Sequence, residues 1–230
     1  MLEQLVQTAK LSRNSLKWIA MLTMIIDHIG AAFLTEGCAY YSICRFIGRI
    51  ALPLFAYLLA DGFSRTKNHK KHIIELLIFA IVSEPFYDRV LHGQWIELSN
   101  QNIFWTWLVC YLMMIGFKKV ENLDKFNKLT YSLSIMALTG LISHLCGFDY
   151  TFVAVLCVAC SYFFPKPARF MIPILLFASY LNLGVLLSIP ILVLYDSQKS
   201  CKYSKLMKYT FASFYPIHLI TIYILTVFVL

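Results

Sequence analysis

From Trp18 to Leu34 the chain is apolar apart from Thr23 and a neighbouring Asp27 and His28. Similar apolar windows recur near residues 43–63, 72–87, 103–117, 130–145, 150–164, 168–180, 183–195 and 211–230. A helix needs about 20 apolar residues to cross a bilayer of about 30 Å. The pattern therefore predicts an all-α fold, a polytopic transmembrane helical bundle of about nine spans, eight to ten in all. The spread arises because the seventh and eighth windows are short enough to form one re-entrant hairpin. Gly147, Pro165 and Pro167 mark tight turns between short windows. No internal repeat or linker interrupts the pattern, so residues 1–230 read as one integral membrane domain. Residues 1–15 form a cytoplasmic amphipathic segment ahead of the first span. That first run is a full span rather than the short apolar core of a cleavable signal peptide.

Composition agrees with the pattern. Hydrophobic residues make up 60% of the chain and charged residues 14%, against about 25% charged in soluble domains. The mean hydropathy is +0.69. Seventeen of the twenty basic residues fall into five clusters, 10–17, 65–71, 118–128, 166–169 and 199–208. They occupy alternate inter-window segments, which by the positive-inside rule places all five in the cytoplasm, with the amino terminus inside and the carboxyl terminus outside. The net charge of +8 is thereby accounted for without a nucleic-acid partner. The seven cysteines lack zinc-site spacing and read as small packing residues, with a Cys38–Cys44 disulfide on an outer loop as an alternative. No metal is expected.

Charge remaining inside the windows is where chemistry is to be sought. A charged side chain at mid-membrane costs roughly 2.5–3.5 kcal/mol even on lenient scales. Asp27 and His28 lie near the middle of the first window, and Arg45 and Arg49, four residues apart on one helical face, lie in the outer half of the second. Glu84 ends the third window and Asn102 begins the fourth. Gathered in one layer, these groups suit a general base beside a paired guanidinium site. Such a site fits acyl transfer from a phosphate-bearing thioester such as acyl-CoA. Neighbours on a helix point about 100° apart, so Asp27 and His28 do not orient each other directly; one of them meets an arginine of the second span. The plainer reading pairs Asp27 with Arg49 as an ion pair holding two helices in register, and makes His28 a hydrogen-bonded packing residue.

Other polar features carry both readings as well. Asp61 and the run Gly62 to Asn68, with Arg65 and Lys67, form either a helix stop with cytoplasmic anchors or a basic mouth for a phosphorylated donor. His69 and His72 read as solvated. His144, Asp149 and Tyr150 are explained by loop polarity. His218, following Pro216 in the last window, is a packing residue or completes the site. Trp105 and Trp107 read as interfacial anchors.

Leu16–Ala20 leading to Ile26–Gly30, then Arg45–Tyr57, Asp61–Asn68, Phe79–Phe86, Asn102–Phe104, Asp149–Tyr150 and Phe214–His218 together resemble the TraX family. The resemblance is dense over residues 16–105 and thins to short matches beyond. Leu52 stands where the family commonly has phenylalanine, and Asp61 where it has glutamate. The resemblance implies an integral membrane protein linked to acetylation of the amino terminus of conjugative pilin subunits. It also implies distant kinship with multispan acyltransferases that use acyl-CoA and an intramembrane histidine. Asp27, His28, Arg45, Arg49, Glu84 and Asn102 occupy its polar positions.

The expectation from both lines is a multi-pass acetyltransferase of the bacterial cytoplasmic membrane, using acetyl-CoA as donor and an amine or hydroxyl acceptor, with a pilin-like peptide amino terminus favoured. His28 would be the base and Asp27 and Glu84 would tune it. Arg45, Arg49, Arg65 and Lys67 would serve the donor, and Asn102 and His218 the acceptor. The alternatives are a proton-coupled transporter and a non-catalytic membrane assembly factor. Membrane lipids are partners in every case, and the oligomeric state is left open.

Overall fold

The structure is a computed structural model that describes residues 10–196 and 205–229. Residues 1–9 of the expected amphipathic segment, and the basic Lys199 and Lys202, lie outside the described residues. Each apolar window forms helix. In chain order these are α1 (Arg13–Phe33), α2 (Ala39–Gly48), α3 (Ala51–Arg65), α4 (His69–His92), α5 (Ile103–Lys119), α6 (Lys125–Leu145), α7 (Thr151–Phe163) and α8 (Ala168–Leu181). A 3₁₀ turn (Leu183–Leu187), α9 (Ser188–Leu194) and α10 (Lys205–Val229) follow. The fold is all-α; among the described residues the β pairing consists of two isolated bridges, Leu11 with Tyr195 and Gln101 with Phe148.

Local chemistry sets the helix starts. Ser12, Asn68, Asn102 and Asp124 each accept a backbone N–H of the first turn of α1, α4, α5 and α6, satisfying donors that the helix itself leaves orphaned. The second window, expected as one span, is two helices, α2 and α3, parted at Arg49 and Ile50. Pro53 explains the break, because it has no N–H to return to the carbonyl of Arg49. The chain nevertheless keeps its course, and residues 39–65 remain one 27-residue apolar rod.

Helix α1 and the α2–α3 rod run antiparallel. The start of α1 lies beside the end of α3, with Arg13 Nη1 3.6 Å from Asp61 Oδ2. At the far end of the same helix, Asp27 meets Arg45 of α2. Helix α10 runs alongside α1, with the Lys17 ammonium 4.6 Å from the centre of the Phe211 ring, and it also packs on α4. Helices α3, α5 and α7 form the middle, where Tyr57, Tyr111, Phe117, Met113 and Met114 are enclosed. The end of α9 is stapled to the start of the chain by Leu11 N to Leu194 O at 2.8 Å and Asp196 N to Leu11 O at 3.0 Å.

Among the described residues, two of the nine expected spans are long and apolar enough to cross a membrane on their own, α1 and the α2–α3 rod. Of the others, α7 has 13 residues, about 20 Å of helix, and α4 carries charge at both ends. Polarity is nonetheless inverted on α6. Ser132, Thr139 and Ser143 are buried there, while Leu129, Leu133, Leu138, Leu141 and Leu145 are exposed. The Thr139 and Ser143 hydroxyls donate to the carbonyls one turn back. A helix that hides hydroxyls and displays leucines is arranged for lipid rather than water. Of the two readings of Cys38 and Cys44, the alternative disulfide is not formed: both are free thiols, and the Cys38 sulfur accepts the Tyr41 N–H as the cap of α2.

Candidate functional site

One cavity of about 1080 Å³ runs between α1, α3, α4, α5 and α10. Its wall on α3 advances in helical steps through Ala51, Leu52, Phe55, Leu58, Leu59, Gly62 and Arg65, so it follows the whole of that helix, about 20 Å. On α1 the lining residues are Arg13, Lys17, Met21, Met24, Asp27 and His28, about 22 Å from first to last. One end is basic, with Arg13, Lys17, Arg65 and Lys71 joined by His72. The middle is methionine, leucine and phenylalanine. The far end holds Asp27, His28, Arg45, Arg49, Asp149 and Tyr150.

At that far end Asp27 and His28, 6% and 8% exposed, diverge as adjacent helical positions should. Asp27 Oδ2 accepts from Arg45 Nη1 at 2.6 Å. Its packing against the α2–α3 junction requires Gly48, since any Cβ there would collide with the Asp27 side chain. Gly30, on the next turn of α1, is needed for the same reason: a Cβ there would strike Cys44. The pairing partner of Asp27 is thus Arg45 rather than the Arg49 of the plainer reading. His28 turns the other way, and its Nδ1 lies 2.8 Å from Nε2 of His218 on α10. The two rings stack with centres 5.0 Å apart.

Arg49 occupies the α2–α3 break, where its Nη1 donates to the Tyr150 hydroxyl at 2.7 Å. Its Nε is buried without a partner among the described residues, as is Asp27 Oδ1. Tyr150 is delivered by a strained turn: Tyr150 and Thr151 have φ of 57° and 28°, a region that costs non-glycine residues of order 1–3 kcal/mol and clusters at functional sites. The turn is anchored by Thr106 Oγ1 donating to Asp149 O at 2.7 Å and by backbone bonds between Gln101 and the segment Gly147–Asp149. Sequence reasoning explains Asp149 and Tyr150 by loop polarity and counts them in the family resemblance, but gives them no place in the site. Gly147 announces the turn, but nothing local announces that the turn folds inward onto Arg49.

Glu84 and Asn102 are not brought to His28. They bind each other: Glu84 Oε1 and Oε2 accept from Asn102 N at 3.0 Å and Asn102 Nδ2 at 2.7 Å. Trp105 Nε1 also donates to Glu84 Oε2, so Trp105 is tied to a carboxylate instead of serving only as an interfacial anchor. Neither Glu84 nor Asn102 lines the cavity; they clamp α4 to the start of α5. His218 also stands behind the cavity wall, with His28 between it and the space.

At the basic end Arg65 lines the cavity and Lys67 does not. Arg65 Nε and Arg13 Nη1 both reach Asp61 Oδ2, at 3.3 and 3.6 Å, and the Tyr195 hydroxyl donates to the same oxygen at 3.1 Å. His72, read from sequence as solvated, lines the cavity and sits 3.4 Å from Glu75. His69 bonds the Tyr111 hydroxyl at 2.7 Å.

A model of one protein family, described as TraX protein, matches residues 12–226. A probable fimbrial assembly protein FimC, serogroup H1, from Dichelobacter nodosus is 36% identical over 93 residues. That match covers 40% of this chain and 38% of the relative, well under half of either. No solved structure matches the chain.

Proposed function

The chain belongs to the TraX family, and from that membership we propose that it is a multi-pass protein of a bacterial cell membrane that acetylates an amino terminus. The donor is acetyl-CoA and the acceptor a pilin-like peptide. The inverted polarity of α6 and the alternation of basic clusters support about nine membrane segments with the amino terminus inside. The shorter helices then cross as members of a bundle that thins the bilayer locally or stop short within it.

The observation that carries the chemical reading is the cavity itself. Its basic end offers Arg13, Lys17, Arg65 and Lys71 to phosphate oxygens, and its far end holds a buried imidazole beside two guanidinium groups. The volume exceeds the upper range of drug-sized pockets, about 1,000 Å³, which is suited to a long donor lying along α1 and α3. In the transfer His28 Nε2 takes a proton from the attacking amine as the C–N bond forms. Arg49, or Arg45 from its place on Asp27, steadies the negative charge that develops on the carbonyl oxygen. The C–S bond then breaks, the proton held by His28 goes to the departing sulfur, and the products are an amide and a free thiol.

Radiolabelled acetyl-CoA and a synthetic pilin amino-terminal peptide, added to proteoliposomes holding the full chain, test this. Label should pass to the peptide, and His28→Ala should reduce transfer by about 10²-fold or more at unchanged protein level. Transfer that survives His28→Ala would remove His28 as the base. A second reading, a non-catalytic assembly factor, is favoured by the fimbrial relative's description. It is distinguished by pilus assembly that persists in His28→Ala cells.

A further inference from the structure

Of the two histidines that meet between α1 and α10, one faces the cavity and the other is hidden behind it. His218 is 6% exposed; its Nδ1 lies 3.1 Å from the carbonyl oxygen of Phe214, one turn earlier on α10. A carbonyl can only accept, so Nδ1 of His218 carries the proton and donates. In a neutral ring the other nitrogen, Nε2, is then a bare lone pair. The atom 2.8 Å from that lone pair is His28 Nδ1, which must therefore hold a proton to make the bond. It follows that neutral His28 has its own lone pair on Nε2, for which no partner exists among the described residues. One backbone carbonyl thus fixes the protonation pattern of two rings in series.

The pair is held rigidly. The His218 ring is stacked on Phe214 with centres 4.8 Å apart, and the Tyr215 ring abuts both imidazoles, at 6.3 Å from His28 and 5.2 Å from His218.

We propose that His218 is a positioning residue that locks His28 in the Nδ1–H tautomer, which on the acyl-transfer reading of the cavity keeps Nε2 free to accept the proton of the attacking amine. His218 itself moves no proton, since its Nδ1 faces an oxygen that can take none. When His28 becomes imidazolium, its Nδ1–H remains bonded to His218 Nε2, so the charged form is steadied without rearrangement. This parallels the orienting third group behind a catalytic base, with a neutral ring where a carboxylate is more usual.

The test uses the full chain in detergent or nanodiscs with ring-¹⁵N histidine, the His28 signals being those lost in His28→Gln. The wild type at neutral pH should show His28 protonated at Nδ1 and bare at Nε2, the less common form of a free imidazole. His218→Gln, whose amide oxygen can accept from Nδ1–H, should keep that form, and His218→Leu should release it. A wild-type His28 protonated at Nε2 overturns the proposal, as does an unchanged tautomer in a folded His218→Leu. In the transfer assay His218→Leu should lose about tenfold or more in kcat with little change in KM for acetyl-CoA, and His218→Gln should regain most of it. Equal kcat in the Gln and Leu variants also overturns it. If the wild type transfers no acetyl group at all, the acyl-transfer reading falls, and the ¹⁵N pattern still decides the tautomer.

Discussion

At the scale of single residues, the site is governed by what each polar group was obliged to find once it left water. Asp27 and Arg45 found each other at 2.6 Å, and removing one side of a buried pair leaves the other uncompensated, at about 3–5 kcal/mol. Because the Arg45 side chain is a quarter exposed, the lower end of that range applies. Asp27→Asn should therefore lower the thermal midpoint clearly, and the Asp27→Asn, Arg45→Gln double variant should recover some of the loss, both readable by thermal shift in detergent. A double variant no more stable than the single one would mean the pair contributes no coupling. Gly48→Ala is a sharper probe of the same contact, since the added methyl has nowhere to go but into Asp27. A loss of about 1–3 kcal/mol in chemical denaturation is expected, and a neutral effect would mean that the α1–α2 contact is loose.

At the scale of elements, the clamp between α4 and α5 belongs to architecture. Glu84 accepts from the backbone and side chain of Asn102 and from Trp105. Glu84→Ala strands three donors, and at about 1–3 kcal/mol for each that stays buried it should impair folding yield more than the turnover of the folded fraction. Turnover per folded molecule that collapses in Glu84→Gln would instead assign Glu84 to the chemistry. The helices are legible in the sequence because a run of apolar residues reports its own burial whatever lies beside it. The break at Arg49 is legible only through Pro53, four residues on, which a hydropathy window averages away. Asp27, His28, Arg45 and Arg49 stand out because charge in an apolar run is costly anywhere. Tyr150 and Asp149 do not, because polar residues in a turn are ordinary until the turn is seen to fold inward. For Glu84 and Asn102 the sequence offers a depth, but depth does not specify which way around the bundle a side chain points.

For the molecule as a whole, the cavity is the feature that no single window contains. It joins a basic end to His28 through an apolar middle that Met24 and Leu52 line. Filling that middle without touching either end separates passage from chemistry: Leu52→Trp should raise KM for acetyl-CoA at least about tenfold, roughly 1.4 kcal/mol, with thermal stability little lowered. Unchanged kinetics would place the donor's path elsewhere.

The contact between His28 and His218 spans 190 positions of the chain, and this has a consequence for how the protein is made. Helix α1 leaves the ribosome ahead of α2 to α9 and waits through their synthesis until α10 arrives. Asp27 can be quenched by Arg45 within a few seconds, at a translation rate of about 5–20 residues per second, but the His28 ring meets His218 only when α10 enters. Two neighbouring residues of α1 thus gain their partners at widely separated moments of synthesis.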